Sequence, residues 1–68
     1  MELLRESYEI QGKNFDKAGE VSGEIKVLLR DLGIDAAHLR RLVIVAFEAE
    51  MNIVMYADRG VMTLSVTP

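Results

Sequence analysis

Residues 36–57, "AAHLRRLVIVAFEAEMNIVMYA", constrain this 68-residue chain more than any other segment. Leu39, Leu42, Val43, Ala46, Ile53 and Ala57 recur at helical spacing and make one apolar stripe. Ile44, Val45, Phe47 and Val54 widen it until the middle of the helix is apolar nearly all round. A helix of that kind is expected to lie between layers, buried on more than one side. Asp35 precedes it, and its carboxylate can accept hydrogen bonds from the first free amides of the helix.

The flanking segments supply the rest of a layered α/β fold. In residues 3–11, Leu4, Tyr8 and Ile10 alternate with Arg5, Ser7, Glu9 and Gln11, and Glu6 interrupts the apolar side. That pattern predicts a half-buried strand ended by Gly12. From Asn14 to Leu32, Phe15, Ala18, Val21, Ile25, Leu28, Leu29 and Leu32 form one helical face, with Asn14 or Asp16 as candidate cap. Gly19 and Gly23 predict a frayed or late start, and Gly33 a left-handed stop. After a turn at Asp58-Arg59-Gly60, residues 61–67 read as a strand with Met62, Leu64 and Val66 on one face. The order is β-α-α-β, an α+β two-layer arrangement. Two strands make a poor sheet alone. The chain is therefore expected to be one part of a larger α/β domain, completed here by self-association through its sheet edges and an uncovered helix face.

Composition narrows the function classes. Half of the residues are apolar, which is rich for so short a chain and again argues for covered surface. There is no cysteine and a single histidine, His38, so thiolate and His-cluster metal sites are excluded. The net charge is −3 with no basic stripe, which argues against direct nucleic-acid binding. The charged N-terminus has no signal-peptide core, and the longest apolar run, Leu42 to Phe47, is far too short to span a membrane. A cytoplasmic protein is expected.

The long helix also carries Glu48, Glu50, Asn52 and Tyr56. At about 100° per residue, Asn52 lies roughly 40° and Tyr56 roughly 80° from Glu48, a slanting polar edge. Glu50 lies roughly 200° away, inside the apolar stripe. An unpaired carboxylate there would be costly, so Glu50 is expected to meet a cation, a helix end or a partner chain, or to be left wet by local packing. Asn52 could offer an oxygen to a hard cation such as Mg²⁺, and Glu48 could take a proton from a nearby hydroxyl. Any Glu-x-x-x-Asn on a solvated helix edge would meet that pattern. Arg40, Arg41 and His38 read as solvated surface, and Met51, Met55 and Met62 as core filler or adaptable interface.

The flanking residues sharpen the assignment. "RRLVIVAFEAEMNIVMYA" resembles the N-box helix of the GHKL-type, histidine-kinase-like ATPase fold, and specifically the anti-sigma factor serine/threonine kinases. Their pattern is close to E-A-x-x-N-x-x-x-H-A, which stands here as Glu48, Ala49, Asn52, Tyr56 and Ala57. The order of elements is similar over most of the chain. The resemblance implies that Asn52 ligates the Mg²⁺ bridging the ATP phosphates and that Glu48 is the general base for phosphoryl transfer to a serine. Tyr56 stands where the family usually has His, and would contact phosphate or line the nucleotide site. Residues 1–68 would be the N-terminal part of such a domain. The family's D-x-G-x-G loop and second Gly-rich segment, the lid half of the ATP site, are absent from these residues. The resemblance thus implies a regulatory ATP-binding protein with a protein partner, a sigma factor or its antagonist, and an inactive 68-residue chain. The alternative is a non-enzymatic interaction or dimerisation module.

Overall fold

The computed structural model describes residues 2–68. Strand β1 spans Leu4–Gln11, a 3-10 turn Phe15–Lys17, helix α1 Glu20–Asp31, helix α2 Ala36–Tyr56 and strand β2 Arg59–Val66. The two strands pair antiparallel from Leu4 with Val66 to Gln11 with Arg59, and the helices between them in sequence pack together. The result is a small two-layer α+β unit.

Strand alternation makes the sheet one-sided. Leu4, Tyr8 and Ile10 share a face with Val66, Leu64 and Met62, and that face meets the helices. Glu6 sits among them but stays exposed. The opposite face is polar: Ser7 Oγ lies 3.2 Å from Thr63 Oγ1, and Ser65 Oγ donates to Glu2 Oε1 at 2.7 Å. The buried apolar residues are Ile10, Ile25, Leu29, Ala46 and Val54, a small core for a chain half apolar.

The late start of the first helix follows the expectation from Gly19 and Gly23, and Gly33 takes the expected left-handed conformation (φ +86°). Four expectations are corrected. Neither Asn14 nor Asp16 caps α1, because the 3-10 turn and a left-handed Gly19 separate them from its first amides. Phe15 and Leu32, placed on the apolar face by spacing, are exposed, since each lies outside the regular helix whose period was extended to them. Helix α2 is covered on one side only: Leu42, Ile44, Val45 and Phe47 face outward because no layer lies over them. Arg59 and Gly60 are strand, not turn. Gly60 has a packing cause, since a Cβ there would lie 2.8 Å from Ile53 Cδ1, where α2 crosses β2.

Asp35 caps α2 as expected, accepting from the His38 amide at 3.0 Å. That bond, with help from the His38 side chain, holds the Asp35 carboxyl below the usual carboxylate range. A lowered carboxyl stabilises the fold above its unfolded-state pKa and loses that contribution as pH falls through the folded value. Asp35→Asn keeps the cap oxygen but removes the titration. Urea midpoints measured against pH are therefore expected to fall less steeply in acid for Asp35→Asn than for the parent.

Candidate functional site

The polar residues of α2 divide between its two sides. Glu50 points inward and is 1% exposed. Its Oε2 accepts from the amides of Gly19 (3.0 Å) and Val21 (3.2 Å), and its Oε1 from the amide of Ser22 (2.9 Å). Those amides belong to the start of α1, where backbone N–H groups have no helical partner and the dipole favours negative charge. Ser22 Oγ closes the turn by donating to the Gly19 carbonyl at 3.1 Å. Of the environments considered for Glu50, the helix end is the one found. Among the described residues no buried side-chain polar atom lacks a partner. Glu50 is thus a remote N-cap that ties α1 to α2.

Lys13 does the converse about one turn further along, at the C-terminal end of α2. Its backbone is left-handed (φ +66°), its amide donates to the Val54 carbonyl at 2.6 Å, and its Nζ to the Met55 carbonyl at 2.6 Å. A cation among the last carbonyls of a helix complements the dipole. Nothing in the local sequence marked Lys13, because its partners lie far along the chain. The segment between β1 and α1 is therefore anchored to α2 at two points, and α2 cannot rotate without breaking both.

With Glu50 fixed inward, Glu48 and Asn52 stand one turn apart on the outer side, both exposed. Among the described residues neither side chain makes a hydrogen bond or ion pair within the chain. Tyr56, one turn further, is 77% exposed. The structure brings Glu48 and Asn52 to one edge; it builds no enclosure around them, and they line none of the hollows between helices and sheet. Arg40, Arg41 and His38 are exposed, as expected.

Among the described residues no three His, Cys, Asp or Glu side chains converge on a metal position. The donors here, one amide oxygen and one carboxylate, do not make a cage for a free cation. They fit a Mg²⁺ that arrives with phosphate oxygens and keeps several waters. No described helix is long and apolar enough to cross a membrane. Comparison with protein-family models, with curated proteins and with solved structures found no match.

Proposed function

We propose that α2 supplies the metal-and-phosphate side of a Mg·ATP site in a regulatory protein that resembles the anti-sigma factor serine/threonine kinases. The observation that carries this is the separation of carboxylates on one helix. Glu50 is consumed by the α1 cap, while Glu48 and Asn52 are left side by side on the open face with no partner in the chain. In this reading Asn52 offers its side-chain oxygen to Mg²⁺, and the ion neutralises charge on the phosphate oxygens when bound. Glu48 accepts the proton of a partner protein's serine hydroxyl as that oxygen bonds the γ-phosphorus; the bond to the ADP oxygen breaks and ADP leaves. Tyr56 offers a hydroxyl to the same edge.

The base-side half is not supplied by residues 1–68, since Gly12, Gly19, Gly23, Gly33 and Gly60 form no D-x-G-x-G loop. A thermal-shift titration of this chain with Mg·ATP is expected to show no stabilisation. A Mg-dependent shift abolished by Asn52→Ala would overturn the inactivity of the isolated chain. The coding sequence beyond Pro68 tests the parent activity: a D-x-G-x-G within a few tens of codons supports it, and an immediate stop contradicts it.

One observation favours a second reading, a non-enzymatic interaction module. Val45 is 63% exposed and Ile44 52% exposed, on a helix whose outer face also shows Leu42, Phe47 and Met55. These side chains lie on both flanks of the Glu48–Asn52 edge, and exposed apolar surface of that extent favours contact with another protein.

A further inference from the structure

Lys13 stands in a backbone conformation that a side chain rarely takes. Its φ of +66° lies in the left-handed region, where glycine or asparagine is the usual occupant, and Gly12 and Asn14 flank it in sequence. Such a conformation persists only where the surroundings hold it. Here the end of α2 holds it: the Lys13 amide donates to the Val54 carbonyl and its Nζ to the Met55 carbonyl, each at 2.6 Å. No basic residue stands in the last turn of α2 itself, so Lys13 brings the cation that this helix end lacks.

That end is also where the proposed metal-and-phosphate edge lies. Tyr56 is the last residue of α2, and Asn52 stands one turn before it. The C-terminus of a helix carries roughly half a negative elementary charge. Glu48 adds its carboxylate to the same edge and Asp58 follows the helix; among the described residues neither is in an ion pair. A polyphosphate brought to Asn52 therefore approaches charge of its own sign. Met55 lies roughly 60° around α2 and about 4–5 Å along it from Asn52, so the Lys13 ammonium meets the helix on the side of the edge. That separation is well inside the Debye length of roughly 8 Å at physiological salt.

We propose that Lys13 is a positioning residue that sets the charge of the Glu48–Asn52 edge. By holding an ammonium on the last carbonyls of α2 it offsets the negative helix end, and so favours the more highly charged ligand, a nucleoside triphosphate over a diphosphate, each as its Mg²⁺ complex. The inference rests on the Mg·ATP reading and deepens it. Lys13 touches neither the metal nor the phosphates; it acts through the end of α2. Its left-handed backbone is what turns both the amide and the side chain of one residue toward that end. Glycine or asparagine would suit the backbone better but would supply no charge.

Equilibrium dialysis of the protein expressed from the complete open reading frame, against Mg·ATP and against Mg·ADP, tests it. Lys13→Met keeps the aliphatic stem and removes the charge. It is expected to weaken Mg·ATP binding by about threefold to tenfold and Mg·ADP binding less, so that the preference for the triphosphate shrinks. Lys13→Arg keeps the charge and is expected to retain both the affinity and the preference of the parent. If Lys13→Met fails to fold, Lys13→Asn, which suits the left-handed backbone, decides. Binding by Lys13→Met equal to that of the parent overturns the proposal. So does an equal loss for both nucleotides, the mark of a purely structural contact, or a Lys13→Arg no better than Lys13→Met. Asn52→Ala, measured alongside, separates this role from the reading beneath it. Binding lost in Asn52→Ala but unchanged in Lys13→Met leaves the Mg·ATP edge standing and removes only the role of Lys13. A parent that binds no Mg·ATP removes both.

Discussion

Glu50→Ala is expected to cost on the order of 3 kcal/mol, since it leaves the buried amide of Ser22 and the half-buried amides of Gly19 and Val21 without their acceptor. A single core of this size rarely supplies more than about 3–5 kcal/mol in total. The variant should therefore be largely unfolded, or show a urea midpoint near zero, by far-UV dichroism. Glu50→Gln fits the same space but has one acceptor oxygen and turns an NH2 group toward amide donors. Its cost should be about 2 kcal/mol. Glu48→Ala, two residues away on the exposed side, should stay within about 0.5 kcal/mol of the parent. Equal stabilities for Glu48→Ala and Glu50→Ala would rule out the remote cap.

The second large effect is expected at Gly12. A Cβ there would lie 1.5 Å from the Ala57 carbonyl oxygen and 2.9 Å from the Asp58 carbonyl carbon. Both are backbone atoms of the α2–β2 junction, so no side-chain rotation relieves the overlap. The Gly12 amide also donates to Asp58, which holds the two segments at that distance. Gly12→Ala must push α2 away from the end of β1, and should cost about 3 kcal/mol or more. Gly23 is the control. It lies in α1, exposed, with nothing within 4 Å of a built Cβ. Gly23→Ala should stabilise by about 0.5–1 kcal/mol, because alanine is the better helix former. A pair of urea titrations reads both, and the two shifts should have opposite signs.

The elements themselves were legible because each carries its own period. Alternation marked β1 and β2, and the three-to-four spacing marked both helices. Asp35 and Gly33 marked helix ends because their effects are local. What could not be read locally was long-range. The cap of α1 comes from Glu50 and the C-terminal cation of α2 from Lys13, each far away in sequence. Asn14 and Asp16 were the natural local candidates for the α1 cap, and the 3-10 turn displaced them. Glu50 could be flagged as a misfit in an apolar stripe, with a cation, a helix end, a partner chain or water equally open as its environment; which of them it meets depends on how α1 crosses α2. The apolar middle of α2 predicted burial on more than one side, which the structure does not bear out. Only one is covered within residues 2–68, and the other is where the proposed functions lie.

The same geometry divides α2 into a structural side and a side free for ligands. Glu50 and Lys13 fix the rotation of the helix, and Glu48 and Asn52 are thereby held outward. A ligand edge on a helix anchored at Glu50 and at Val54–Met55 is held more firmly than one on a loop. Protein expressed from the complete open reading frame and titrated with Mn²⁺·ATP, followed by amide line broadening, tests this most directly. The account predicts broadening centred on Glu48 to Asn52, lost in Asn52→Ala and retained in Glu48→Ala, with phosphoryl transfer lost in Glu48→Ala. Broadening centred elsewhere, or indifferent to Asn52→Ala, would contradict it.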